Sequence, residues 1–467
     1  VTRCVVVDIG STWTKGGLFE VDEDASSEGP GLVNLSRVPT TLDDLGRGFF
    51  QLLWQLQGDK EFEGPVYASS SAKGGLRVTA LGIVPDLTLK MARQTALSAG
   101  ARITKVYAYE LTDRDLEQID QDPPDILLFA GGTDGGNKSI LEHNTLAIKK
   151  LKSRPNVLFA GNRALEAFVA FHLGHFPLTM TENILPELDR PNPEPARKAL
   201  RAIFLDRLIQ GKGLAPVQAR CSGPILPTPM RVFDFLRILE EQQLDGWQHL
   251  CLVDLGGATT DVYSMGGEQP SEAGVVLSKG VPDEHLSRTV EGDLGMRHSS
   301  RGVVDSRRRW VEERLRKTGN NQEWANFEEY VQTVEVEYSS LPNSPAEERY
   351  EALLASAAVT GALERHAGRG DSIYTPQGAV QIQRGKDLRP QRKLILSGGY
   401  FTSDRGRPQL DLSTSPIDDE GKFVLLPETW ETYTDTRTLV PLFANLAVSF
   451  PGPAVWGLVA SLQKEQL

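Results

Sequence analysis

Residues 4–15 read CVVVDIGSTWTK, and residues 250–263 read LCLVDLGGATTDVY. In each stretch a short apolar, β-branched run ends in an aspartate, a glycine turn and hydroxyl side chains. Such runs, bounded by glycine, read as buried strands. A returning strand makes each one a β-hairpin, through Asp8-Ile9-Gly10-Ser11-Thr12 and Asp254-Leu255-Gly256-Gly257-Ala258-Thr259-Thr260. Glycine lets backbone approach a ligand closely, and turn N–H groups and hydroxyls donate to phosphate oxygens. A strand-end aspartate suits Mg²⁺, a hard ion that keeps part of its water shell. Asp8 and Asp254 are therefore the expected catalytic and metal-holding residues, the metal being held through water. Gly10, Ser11, Thr12, Lys15, Gly256, Gly257, Ala258 and Thr259 are the expected phosphate contacts. One such hairpin alone is an ordinary turn. Two of matching design, followed by a third strand-then-glycine element, LILSGGY at 394–400, point to a clamp on a nucleotide's phosphate tail. The chain has no GxxxxGK[ST] and no GxGxxG after a strand, which argues against a P-loop and a dinucleotide fold.

Outward from the first hairpin, strands and helices alternate. Apolar residues near helical spacing predict a helix over 42–57, and further helices are expected at 86–99, 139–150, 196–209 and 230–244. Strands are expected at 66–70, 103–109, 125–130 and 156–162, a pattern of parallel α/β architecture. The turn TDGGN (133–137) follows one of these strands, which makes Asp134 a third catalytic candidate and Asn137 its companion. The proline-rich segment 174–195 reads as a loop, and GPILPTP (223–229) as a breaker. Charged helical patterns over 305–366 read as a helical insertion, and a last helix over 436–449 is expected to end before Pro451.

Composition narrows the function classes. Fifty basic against 62 acidic side chains give a net charge of −12, against a protein built to coat nucleic acid or anionic membrane. The basic run Arg307–Arg309 is interleaved with Glu312 and Glu313 and reads as a solvated helix face. Three scattered cysteines with no CxxC leave no metal cluster or disulfide framework, and Cys4 and Cys251 sit in apolar runs as core residues. No stretch approaches the ~18 apolar residues of a membrane span. A cytoplasmic protein without nucleic-acid or membrane partners is the expectation.

The two hairpins resemble those of the sugar-kinase, heat-shock-protein-70 and actin superfamily. LILSGGY resembles its adenosine motif, in which Gly398 and Gly399 would let adenosine lie against the backbone. The resemblance implies α/β architecture with two actin-like (ribonuclease H-like) lobes around an interlobe cleft for ATP and Mg²⁺. The lobes are expected at 1–245 and 246–467, with the helical insertion at about 305–366 in the second. FAGGTDGGN (129–137), FAGNRA (159–164), RTVEGDLGMR (288–297) and ERHAG (364–368) resemble more narrowly the MutL family of glutamate mutase accessory proteins. That family implies a Mg-dependent ATPase acting as an accessory factor, which reactivates an adenosylcobalamin-dependent carbon-skeleton mutase. Its partners would be the mutase subunits, glutamate mutase first among them. A small-molecule kinase of the same fold and a non-catalytic nucleotide-dependent scaffold are the alternatives. Asp261, Glu291, Asp293, Arg297, Glu166 and His366 are secondary candidates, each with an ordinary structural reading beside the functional one.

Overall fold

In a computed structural model, residues 1–22, 29–58, 62–71, 76–188, 190–209, 213–266, 276–278, 284–317, 322–375, 378–402 and 409–465 are described. Strand β1 (Thr2–Ile9) is buried from Cys4 onward, which is why its sequence is an unbroken apolar run rather than an alternating one. It pairs antiparallel with β2 (Trp13–Val21), and β2 pairs antiparallel with β3 (Gly31–Pro39). The helix Leu45–Gln57 follows, capped by Asp44, whose carboxylate accepts Gly46 N–H at 3.0 Å. Its Leu45, Phe49, Leu52, Leu53 and Leu56 are buried, the face that the spacing predicted. Strand β4 (Val66–Ser70) then lies parallel to β1.

Here the chain leaves to build a second compact unit, essentially Gly75–Gly211. Its strands are β5 (Arg77–Gly82), β6 (Arg102–Ala108), β7 (Ile126–Gly131), β8 (Asn156–Gly161) and β9 (Leu178–Met180). All are parallel, in the order β6-β5-β7-β8-β9, a doubly wound sheet. Phe129 and Phe159, 5.3 Å apart, centre its core. The proline-rich segment thus contains an edge strand, β9, which is short and half-buried and so shows no apolar periodicity.

The first unit resumes with β10 (Leu226–Pro227), parallel to β4, inside the stretch expected to be a breaker. An edge position tolerates its proline. The first sheet is thus ordered β10-β4-β1-β2-β3. After the helix Thr228–Glu241 the same plan recurs. Strands β11 (Leu250–Leu255) and β12 (Thr260–Met265) form the second hairpin. Beyond them lie β13 (Val276–Ser278), β14 (Leu286–Glu291), β15 (Arg369–Thr375), β16 (Gly378–Arg384), β17 (Lys393–Gly398), β18 (Phe423–Val424), β19 (Glu431–Thr434) and β20 (Gln463–Lys464). The large sheet runs β14-β12-β11-β17-β19-β20, with β17 parallel to β11 and β19 parallel to β17. A hairpin plus a third antiparallel strand on one side, and two parallel strands on the other, is the ribonuclease H-like arrangement found in each half. The fold is α/β, of two actin-like halves. Strands β13, β16, β15 and β18 make a small extra sheet that the sequence reading did not foresee.

The chain passes between the compact units at 74/75 and 211/212, and the two hairpin-bearing halves lie within one unit. Two helices join those halves. Thr228–Glu241, which follows the first sheet, packs against β4 and β10 and also against β12 and β14. Val440–Leu446, which follows the second sheet, packs against β1 and β4, and the two helices touch each other. Asn445 on the latter helix donates to Ser69 Oγ at 2.8 Å and to Val7 O at 3.3 Å. The helical insertion comprises Ser300–Ser306, Arg308–Arg316, Glu323–Val336 and Pro345–His366. The last is buried on most sides and lies against β11, β12 and β14, so it is core to the second half as well as an insertion. Arg308 and Arg309 pair with Glu312 at 2.9 Å and Asp419 at 3.4 Å, and Arg307 pairs with Glu364. The C-terminal helix ends at Leu446, and Pro451 opens another, Pro451–Ser461. Proline suits a first helical turn because its missing N–H has no partner there anyway. Among the described residues no helix is long and apolar enough to cross a membrane.

Candidate nucleotide site

The two hairpin loops close in the same way. Gly10 N–H donates to Trp13 O at 3.0 Å, and Gly256 N–H to Thr259 O at 2.9 Å. A side chain at either glycine would collide, its Cβ lying 2.7 Å from Trp13 O or 2.8 Å from Thr259 O. Register repeats too. Asp8 stands opposite Lys15 on β2 and Ser69 on β4; Asp254 stands opposite Asp261 on β12 and Ser397 on β17.

The two aspartates are treated differently. Asp8, 5% exposed, accepts Ser69 Oγ at 3.0 Å and Thr228 Oγ1 at 2.5 Å. Asp254 accepts no side-chain or backbone donor among the described residues, because Ser397 Oγ is turned to Asp435 at 2.9 Å. Asp435 in turn caps the helix Val440–Leu446 through Leu439 and Val440 N–H at 2.8 and 2.9 Å. Burial first, then repulsion from Asp261, pushes Asp254 up to about 7; Asp8 and Asp435 add to this and Lys15 opposes it. Burial also raises Asp8, with Lys15, Thr228 and Ser69 pulling the other way.

Both carboxylates, Lys15, and parts of both loops line one cavity of about 470 Å³, inside the ~300–1,000 Å³ range of small-molecule clefts. The loops face each other across it: a Cβ on Gly257 would lie 3.6 Å from Thr12 Oγ1. Gly10, Ser11, Thr12, Gly256 and Gly257 line the cavity, and Gly398 and Gly399 line it where β17 ends. Ala258 and Thr259 complete the second loop without lining the cavity; their carbonyls accept Ser299 Oγ at 2.7 Å and Gly256 N–H. Buried Asp8 and half-buried Asp254 supply carboxylate oxygens of the kind that suit a hard divalent cation. Among the described residues no three His, Cys, Asp or Glu side chains converge on one point, so such an ion would keep waters as most of its ligands.

The segment EGDLGMR (291–297) backs the second loop. Met296 and Arg297 N–H donate to Gly256 O and Gly257 O at 3.0 and 2.8 Å, and Thr260 Oγ1 donates to Leu294 O. Gly295 is packed so tightly that a Cβ would lie 2.4 Å from Ala258 C. Glu291 and Asp293 are held by Arg365 at 3.0 and 2.6 Å, so the motif supports the loop and its carboxylates are spent.

Other sequence candidates are engaged elsewhere. Asp261 forms a buried pair with Arg288 at 2.5 Å. Asp134 belongs to the second unit, where its Oδ1 accepts Arg163 N–H at 3.0 Å and Asn183 Nδ2 at 2.9 Å, fixing the TDGGN turn. Asn137 Oδ1 accepts Ser139 Oγ at 3.2 Å. Glu166 is exposed at the start of the helix Glu166–Leu173. His366 is buried between Ser264 Oγ and Thr289 Oγ1, each at 2.8 Å, and burial with Lys386 nearby holds it well below its usual value. Missed from sequence were Thr228, Glu348, Glu351 and the loop Tyr338–Pro342, all cavity-lining. None follows a strand-end aspartate and glycine turn; only the fold carries them there.

A family model described as MutL protein matches residues 4–456. The chain belongs to the MutL family. A MutL relative, "Protein MutL" of Clostridium tetanomorphum, is 34% identical over 471 residues, covering 97% of each chain. Among solved structures, a ligand-bound xylulose kinase from Lactobacillus acidophilus aligns over 100% of this chain and 93% of its own, at 10% identity and a TM-score of 0.32. A Ppx/GppA family member from Aquifex aeolicus aligns over 83% and 95%, at 9% identity and a TM-score of 0.22. In this MutL chain the narrow motifs divide between the units: TDGGN lies in the doubly wound sheet, and EGDLGMR lies behind the second hairpin.

Proposed function

We propose that this chain binds Mg·ATP in the hairpin cavity, hydrolyses it slowly, and uses the cycle to serve an adenosylcobalamin-dependent carbon-skeleton mutase in the cytoplasm. Glutamate mutase is the first partner to test, on the strength of the MutL motifs. The observation that carries the nucleotide reading is the pair of matching hairpins with Asp8 and Asp254 in one cavity. Loop N–H groups and the Ser11 and Thr12 hydroxyls would hold the phosphates, and Lys15 would offset their charge. Gly398 and Gly399 would leave room for the adenosine. Asp8 and Asp254 would hold Mg²⁺ through its waters, where the ion supplies charge neutralisation along the phosphate tail. The halves would close on the bound nucleotide, and a partner that prefers one form would feel the change.

Calorimetric titration with MgATP and measurement of phosphate release test the site. Capture of mutase subunits with and without MgATP tests the partner. A phosphorylated metabolite in place of released phosphate would turn the reading to a kinase.

A pH signature follows from Asp254. With its carboxyl raised to about 7, Mg²⁺ entering below that pH must displace a proton. Apparent Mg²⁺ affinity should rise about tenfold per pH unit up to pH 7 and level off above. Calorimetry at pH 6 in buffers of different ionisation enthalpy should show close to one proton released, and Asp254→Asn should abolish that release.

A further inference from the structure

Arg297 is tied to two parts of the molecule. Its N–H donates to Gly257 O at 2.8 Å, which fixes its backbone to the second hairpin loop. Its stem runs beside that loop, the Cβ 3.6 Å from where a Gly257 Cβ would stand. Its guanidinium donates to Glu351 at 2.5 Å and to Ser340 O at 3.3 Å. Glu351 lies on the long helix Pro345–His366, and Ser340 on the loop that precedes it. All three residues line the cavity, and the paired side chains are only 13% and 11% exposed.

A guanidinium held by one carboxylate can exchange it for a stronger anion. A terminal phosphate offers more charge and bidentate geometry, and the loops would bring it into the same cavity. Glu351 would then need another donor, since an unpaired buried carboxylate is costly. One is in place. The Tyr330 hydroxyl, on the helix Glu323–Val336, is buried with no hydrogen-bond partner among the described residues. After burial, the charge of Glu351 is the largest influence raising Tyr330, and Arg297 opposes it, so both charges act on this hydroxyl. Glu348 lines the cavity three residues before Glu351, and its like charge adds to the need for a donor.

We propose that Arg297 reads the terminal phosphate of a nucleoside triphosphate, leaving Glu351 to take it, while Glu351 turns to the Tyr330 hydroxyl. The inference rests on the nucleotide site proposed above and adds its triphosphate specificity and its readout. A diphosphate leaves the Arg297–Glu351 pair closed, so Ser340 and the helix Pro345–His366 respond to triphosphate alone.

The full chain is titrated with MgADP and with Mg-adenylyl imidodiphosphate, and hydrogen exchange is followed over Glu323–His366. The unaltered protein should favour the triphosphate analogue by about tenfold, as for a charged hydrogen-bonded contact, and exchange should change with that ligand only. Arg297→Gln should keep MgADP affinity within about twofold yet lose the preference and the exchange response. Arg297→Lys, which keeps the charge and loses the fork, should lose most of the preference and covers the case in which the glutamine variant folds poorly. Glu351→Gln should tighten the triphosphate analogue alone and show the triphosphate exchange pattern without ligand. Tyr330→Phe should keep the preference and weaken the response. An Arg297→Gln or Arg297→Lys protein that retains both preference and response overturns this inference and leaves the site reading standing. An unaltered protein that binds neither ligand overturns both.

Discussion

Replacing Asp254 by asparagine is expected to lower MgATP-dependent phosphate release by about 100-fold or more, the scale of losing a charge that stabilises phosphoryl transfer. The same protein should be more stable than the parent at pH 8. Burial first, then the charge of Asp261, with Asp8 and Asp435 adding and Lys15 opposing, raises the Asp254 carboxyl from 3.8 to about 7 on folding, and it accepts no hydrogen bond among the described residues that would offset this. An acid raised by folding holds its proton better in the native state. Ligand-free stability therefore falls as pH climbs from about 4 to about 7, and the whole penalty is present above 7. Asparagine removes that penalty, so its unfolding midpoint should exceed the parent's at pH 8 and match it near pH 4. A variant that is firmer and inactive cannot be dismissed as misfolded. Asp8→Asn should lose activity to a similar degree with a smaller gain, because burial raises Asp8 too but Lys15 and the Thr228 and Ser69 hydroxyls pull against it. Normal phosphate release by either variant would remove these residues from the site.

The hairpins were legible because backbone chemistry forces them. A four-residue loop in which Gly10 or Gly256 must bond the residue three further on admits no side chain there. The apolar runs before the loops likewise declare central strands covered on both faces. What stayed hidden depends on long-range placement. Thr228 reaches Asp8 only because β10 lies beside β4, and no local pattern encodes that pairing. Glu351 sits in a helix that reads as ordinary core, and it meets Arg297 across 54 positions of chain. Asp134 reads two ways for the opposite reason. A glycine turn after a strand looks the same whether its aspartate serves a ligand or its own loop, and here Asn183 and Arg163 N–H occupy it. The joining of the halves was similarly opaque, since one helix bridges both sheets and another packs on the sheet of the opposite half.

The paired glycines of the adenosine motif should separate structural from ligand-facing roles. Gly398→Ala is expected to be severely damaging. Gly398 has φ +119°, a conformation that side chains rarely adopt, and the added Cβ would lie 2.2 Å from Leu255 O. That oxygen belongs to β11, the central strand of the second sheet, in direct register with Gly398 on β17. Neither strand can yield without breaking the ladder that holds Asp254 in place, so the cost should exceed about 4 kcal/mol. The expected result is loss of soluble protein, or a thermal midpoint far below the parent's. Gly399→Ala adds the same methyl one residue later, where nothing lies within 4 Å. Its unfolding curve should overlay the parent's. Because Gly399 lines the cavity, its methyl should cost nucleotide affinity instead, about tenfold, or roughly 1.4 kcal/mol. If Gly399→Ala leaves nucleotide binding intact, the adenosine lies elsewhere in the cavity. If Gly398→Ala folds normally, the β11–β17 register is not the constraint that fixes this end of the site.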